Sequence, residues 1–109
     1  MRPNAVVHRW DQLDLEKVTE MVSRKIIVGQ HQMLAQVYLK RGAQVPTHTH
    51  ESEQMTYVLQ GTLRCRVGDE AITVCEGEVL VIQAGTRHQA EAIEDTFVLD
   101  LFGQPAMDQ

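Results

Sequence analysis

The chain has 109 residues, 43% of them apolar and 23% charged, which suits one globular domain with one core. Its net charge of -5 and the lack of a basic run argue against nucleic acid as a main partner. No stretch approaches the ~18 consecutive apolar residues of a membrane span, and "MRPNAVVHRWDQLD" has no apolar core of a secretory signal, so a cytoplasmic location is expected and no membrane partner.

Taken in chain order, the first element is the only helical candidate. "DQLDLEKVTEMV" (11–22) places Leu15, Val18 and Val22 on a weak helical stripe. Trp10 before it is expected to cover one end of the fold or to join a subunit contact. Short runs rich in Val, Ile, Leu, Tyr and Thr follow: "MLAQVYL", "MTYVLQ", "TLRCRV", "AITVC", "EVLVI" and "TFVLDLF". Glycines or Pro46 punctuate them. Many short strands at close spacing predict an all-β sandwich or barrel over 1–109. Met33 and Met55 are read as core.

"TLRCRVGDEAITVC" predicts a hairpin with Gly68-Asp69 as a type II′ turn. Val67 then faces Glu70, Cys65 faces Ile72 and Thr62 faces Cys75. The two cysteines fall out of register, so no disulfide is expected.

The residues with chemistry lie on two stretches. In "GAQVPTHTHESEQ", His48 and His50 share a strand face, and Gln54 has the same parity. Two imidazoles and an amide oxygen can hold a transition metal, and His88 is the candidate fourth ligand. An exposed polar loop is the ordinary alternative for an isolated pair of this kind. His8 and His31 stand outside any such pattern. Glu51 and Glu53 are expected to be solvated, with Glu53 a lesser alternative ligand.

Asp100 lies within the apolar run "TFVLDLF", where a carboxylate is rare unless paired or functional. It is assigned as general acid or base. Phe102 has the same parity and can stack on a sugar ring or pack in the core. Tyr57 can offer its hydroxyl to a ligand or pack. "HQAEAIEDTFVLDLF" is read as a hairpin with a three-residue turn at Ile93-Glu94-Asp95, or a bulge, which sets His88 opposite Asp100 and turns both inward.

The spacing of both stretches resembles the cupin superfamily. Gly42, His48, His50, Gln54 and Gly61 follow its first motif. Gly77, Gln83, Gly85 and His88 follow its second. Gln54 stands where glutamate is usual, Gln83 where proline is usual, and Ala92 where asparagine often follows. The resemblance implies a single-domain jelly-roll barrel, or double-stranded β-helix, with one divalent transition metal per chain (Ni, Zn, Mn or Fe) on His48, His50, Gln54 and His88. A neutral glutamine ligand leaves the ion more Lewis-acidic.

Among small cupins the chain is most similar to pectin-degradation proteins that linearise unsaturated uronates. The pattern His48-Thr49-His50-Glu51-Ser52-Glu53-Gln54 and the stretch from Asp100 and Phe102 to Pro105 carry that similarity, with a looser match at Arg24 and Lys25. It implies a sugar-acid substrate, with Asp100 as the catalytic residue and Arg24 and Phe102 among the substrate-binding residues, to which the hydroxyl of Tyr57 is added as a candidate. An arginine usual after the proline is replaced by Ala106, which leaves Arg24, Arg64, Arg66 and Arg87 as candidate cations for a carboxylate. A homodimer is expected, because a short barrel exposes apolar sheet that a second copy can cover. The other functional classes open to such a chain are a dioxygenase using Fe or Mn and a barrel that only binds a small molecule.

Overall fold

The computed structural model describes residues 3–103; Gln104, Pro105 and Ala106 lie outside the described residues. Ten strands follow one another: β1 (Glu16–Lys17), β2 (Val22–Val28), β3 (Gln32–Leu39), β4 (Gln44–His48), β5 (Gln54–Gln60), β6 (Thr62–Val67), β7 (Glu70–Cys75), β8 (Val79–Ile82), β9 (His88–Ala92) and β10 (Thr96–Gly103). They form two antiparallel sheets. The larger has the order β1-β2-β3-β10-β5-β8, and the smaller β4-β9-β6-β7. This is the all-β architecture that the strand spacing predicts and the jelly roll that the cupin resemblance implies, and each of the six apolar runs is a strand or most of one within it.

Alternation along β5 and β10 decides where polar side chains end up. Gln54, Thr56 and Val58 are buried on one face of β5, while Met55 and Tyr57 are exposed on the other. Thr96, Val98, Asp100 and Phe102 share the corresponding face of β10. One end of the interior is therefore apolar. Val22, Leu39, Val58, Leu63, Val74, Ala92 and Val98 pack there as a continuous core. The other end receives Gln54, Thr56, Asp100 and the histidines.

The β6–β7 hairpin has the predicted register, with Thr62 opposite Cys75, Cys65 opposite Ile72 and Val67 opposite Glu70. Gly68 has φ 58°, and among the described residues none other than glycine has positive φ. That combination fits a type II′ turn, which asks for left-handed backbone at its first central residue only. Both cysteines are free. Gly61 has φ 93°, and a Cβ there would stand 2.5 Å from the Asp95 carbonyl oxygen. Only glycine fits where β5 turns into β6 beneath that carbonyl.

Three expectations are corrected. Residues 11–22 form no α-helix. A single 3-10 turn, Trp10–Gln12, leads through β1 to β2. Leu15 and Val18 are exposed, so no apolar stripe is buried, and the Val18 and Thr19 amides donate instead to the Val22 carbonyl at 2.8 and 3.1 Å. Trp10 is half-buried, and its carbonyl accepts from Lys25 Nζ at 2.8 Å. Second, β9 and β10 form no hairpin. β9 is paired on both edges, by β4 and β6, which leaves it no free edge for β10. Ile93-Glu94-Asp95 carry the chain to the other sheet, where β10 pairs with β3 and β5. Third, Met55 is not core: it is 39% exposed on the outer face of β5.

Candidate metal centre and its cavity

A strand register builds the site. On the small sheet Val45 is opposite Ala90, yet His48 is opposite His88. Pro46 and Thr47 together face the single residue Gln89, which is a β-bulge. Pro46 has no amide hydrogen for a ladder, and it sits on the edge strand β4, where that lack is tolerated. The bulge shifts the pairing by one residue. Without it Thr47 would oppose His88, and His48 would point outward. Thr47 Oγ1 donates to Gln89 Oε1 at 2.6 Å and closes the bulge.

The three imidazoles meet inside. The ring centroids of His48 and His88 are 4.2 Å apart, those of His50 and His88 5.1 Å, and those of His48 and His50 5.6 Å. One ring nitrogen of each lies within 4.8 Å of the others. His50 and His88 are buried, and His48 is half-buried. Each ring is held the same way. His48 Nδ1–H donates to the Pro46 carbonyl at 2.8 Å, His50 Nδ1–H to the Ser52 carbonyl at 3.0 Å, and His88 Nδ1–H to the Thr86 carbonyl at 2.9 Å. A carbonyl only accepts, so each Nδ1 carries the hydrogen and each Nε2 presents a lone pair. Metal-binding histidines are oriented by such partners.

Two further contacts fit a cation. His88 Nε2 is buried without a hydrogen-bond partner. His50 Nε2 stands 3.0 Å from Gln54 Oε1. Two acceptors that close repel each other unless a cation or an added proton lies between them. His48, His50 and His88 can thus hold a metal through Nε2, and Gln54 Oε1 faces the same cluster. Burial, followed by the neighbouring His48 and His50, lowers the His88 pKa, and its bond to Thr86 opposes this. A neutral imidazole is the form that binds a metal.

The large sheet supplies the opposite wall. Phe102 is paired with Gln54 and Met33, and Asp100 with Thr56 and Ala35. The Phe102 ring lies 5.4 Å from that of His50, edge to face. Asp100 faces inward as expected, but its strand partners are Thr56 and Ala35, not His88. Its Oδ1 accepts from Thr56 Oγ1 at 2.6 Å. Burial pushes the Asp100 carboxyl up from 3.8 to about 6, against the lowering effect of hydrogen bonds from Thr56 and Gln54 and of the charges of His48 and His50. Burial also raises the Cys65 thiol to about 11, with Asp100 adding to the effect.

These residues line one cavity of about 450 Å³. Arg24 is the one Lys or Arg on its wall among the described residues. Its guanidinium holds Glu16 through two hydrogen bonds of 3.2 and 3.3 Å. Arg64, Arg66 and Arg87 are exposed and do not line the cavity. Nor does Tyr57, which is 40% exposed on the outer face of β5. Strand parity puts it opposite to Gln54 and Thr56, so the expectation of a cavity hydroxyl at Tyr57 is corrected. Glu51 and Glu53 are exposed, as are His8 and His31. Thr56 and Cys65 also line the cavity; the even spacing of Thr56 from Gln54 is the sequence signal for the first.

A two-sheet jelly roll with histidines from β4, from the segment after it and from β9 gathered at one end defines a cupin. The Cupin domain family matches residues 35–102, and the chain belongs to it. Among solved structures it is similar to KdgF from Halomonas sp., with a TM-score of 0.86 and 29% identity over 95% of this chain and 99% of that one. An RmlC-like cupin from Shewanella frigidimarina matches with a TM-score of 0.88 at 18% identity, over 99% of this chain and 98% of the other. A predicted oxalate decarboxylase from Thermotoga maritima matches with a TM-score of 0.79 at 18% identity, over 90% and 98%. Those two show the fold alone. No curated protein sequence matches the chain. No helix among the described residues is long and apolar enough to cross a membrane.

Proposed function

We propose that this cupin is a metal-dependent enzyme of sugar-acid breakdown, converting a 4,5-unsaturated uronate from its cyclic to its linear keto form. The observation that carries the reading is Asp100: a carboxyl held at about 6, on the wall of the same cavity as the three histidines. A group with a pKa near the working pH can both take and give a proton. Support comes from the patterns shared with uronate-linearising cupins and from the similarity to KdgF over nearly the whole chain.

His48, His50, His88 and Gln54 would hold one divalent transition metal, Ni, Zn, Mn or Fe. Such an ion supplies Lewis acidity toward a substrate oxygen. The remaining roles belong to the chain. Asp100 moves the proton that ring opening requires, through the oxygen that Thr56 leaves free. Phe102 gives the sugar an apolar wall. Arg24 is the cation for the uronate carboxylate, taking over from the arginine that Ala106 replaces, and it exchanges Glu16 for the substrate. Their placement around one cavity converts encounter into positioning.

The active form is a homodimer. Val79, Val81, Met55 and Tyr57 expose apolar surface together on β8 and β5, since Met55 pairs with Val81 and Tyr57 with Val79. Beside them on the large sheet, Tyr38 and Phe97 are stacked with centroids 4.6 Å apart. A second copy covers this face.

The test is metal analysis of the purified protein, followed by incubation with unsaturated uronates while their ultraviolet absorbance is recorded. Bound metal and loss of absorbance support the reading. Stoichiometric metal with no loss on any unsaturated uronate defeats it.

A further inference from the structure

Thr56 stands between two groups that the proposed chemistry uses. It is buried in the middle of the large sheet, directly paired with Asp100. Its Oγ1 accepts from Gln54 Nε2 at 2.8 Å and donates to Asp100 Oδ1 at 2.6 Å.

A hydroxyl has one hydrogen, so the direction of one bond fixes the direction of the other. Thr56 gives its hydrogen to Asp100 Oδ1 and turns a lone pair toward Gln54 Nε2. Only the nitrogen end of an amide can meet a lone pair. The amide oxygen must then point the other way, to the place where it is found, 3.0 Å from His50 Nε2.

Asp100 also draws on the Gln54 amide, so without the hydroxyl the nitrogen end loses one of its two acceptors, and a second orientation opens in the metal-free site. Rotated by half a turn, the nitrogen donates to the lone pair of His50 Nε2. That hydrogen bond blocks the nitrogen a cation needs. We propose that Thr56 is a positioning residue that turns the Gln54 amide oxygen toward the histidine cluster and so keeps the site receptive to a metal. This rests on the metal-centre reading above. It also accounts for glutamine at position 54. A carboxylate there has no hydrogen to offer Thr56, and one hydroxyl hydrogen cannot serve both it and Asp100. The β-branched side chain helps, because few rotamers are open to it on a strand.

Thr56→Val removes the hydroxyl and keeps the shape, and Thr56→Ser keeps the hydroxyl. Titration with Co²⁺, followed by visible absorbance, should give the same spectrum and affinity for the native protein and Thr56→Ser. For Thr56→Val the affinity should fall by about 10–100-fold, with a changed spectrum. In the metal-free proteins, the Gln54 side-chain amide and His50 Nε2 nitrogen resonances should match between native and Thr56→Ser. In Thr56→Val the His50 Nε2 signal should move toward that of a hydrogen-bonded nitrogen. If Thr56→Val loses native circular dichroism, Thr56→Ala takes its place in both measurements. Native Co²⁺ affinity and spectrum in the hydroxyl-free variant, or unchanged Gln54 and His50 signals, overturn the proposal. A native protein that takes up no Co²⁺ overturns the metal reading instead, and the metal-free resonances still decide on Thr56.

Discussion

His48 and His88 face each other across β4 and β9, paired by a bulge that shifts the register by one residue. Their rings are 4.2 Å apart, and the third histidine of the cluster lies on the segment that follows β4. Replacing His48 and His50 by alanine together should take metal content from about one ion per chain to near zero, measured by elemental analysis. Deleting two of four donors removes most of the binding energy. A double variant that keeps stoichiometric metal contradicts the ligand assignment.

Metal should also stabilise the fold, because the ion binds an assembled site that the unfolded chain lacks. At a free concentration 100 times its dissociation constant, the gain is about 2.7 kcal/mol. Thermal melts with and without a chelator measure it. A melting temperature indifferent to the chelator in metal-loaded protein counts against the site.

Asp100 sets a trend with pH in the metal-free protein. Its folded pKa, about 6, is above the 3.8 of the free group, so the folded state holds the proton more tightly. Its contribution to stability is fully present below 3.8 and is lost as pH rises through 6. Above pH 6 the buried charge is a burden, and Asp100→Asn should raise stability there by roughly 1–3 kcal/mol. Denaturant unfolding at pH 4 and pH 8 checks this. A variant less stable than native at pH 8 would show that hydrogen bonds from Thr56 and Gln54 outweigh the burial.

The two cysteines should differ in reactivity. Cys65 is buried and its thiol is pushed up to about 11, while Cys75 is exposed. Iodoacetamide at neutral pH should label Cys75 and leave Cys65 unmodified in the folded protein, as read by peptide mass spectrometry. Equal labelling would place Cys65 outside the interior.

The strands and the histidine cluster were legible for a common reason: both follow from the spacing of residues along the chain. The close spacing of His48, His50 and Gln54 marked one cluster although residues 49–53 lie outside any strand, and the Gly68-Asp69 turn marked the β6–β7 register residue by residue. Pairing between distant strands left no such mark. Asp100 faces the cavity as expected, but through Thr56 on β5 and Ala35 on β3, because β9 and β10 belong to different sheets. The helical reading of 11–22 failed for want of a surface: a stripe of Leu15 and Val18 matters only where something packs on it. Tyr57 was misplaced because its identity was weighed and its parity was not.

The central claim joins a metal to Asp100 in one reaction, and one measurement tests it most directly. Metal-loaded native protein and metal-loaded Asp100→Asn are each incubated with an unsaturated uronate, and the ultraviolet absorbance of the double bond is followed. Native protein should remove it, and Asp100→Asn should do so about 10²–10⁴-fold more slowly with its metal content intact, since an amide keeps the shape but cannot carry the proton. Equal rates for the two proteins, or no loss of absorbance with either, would contradict the account.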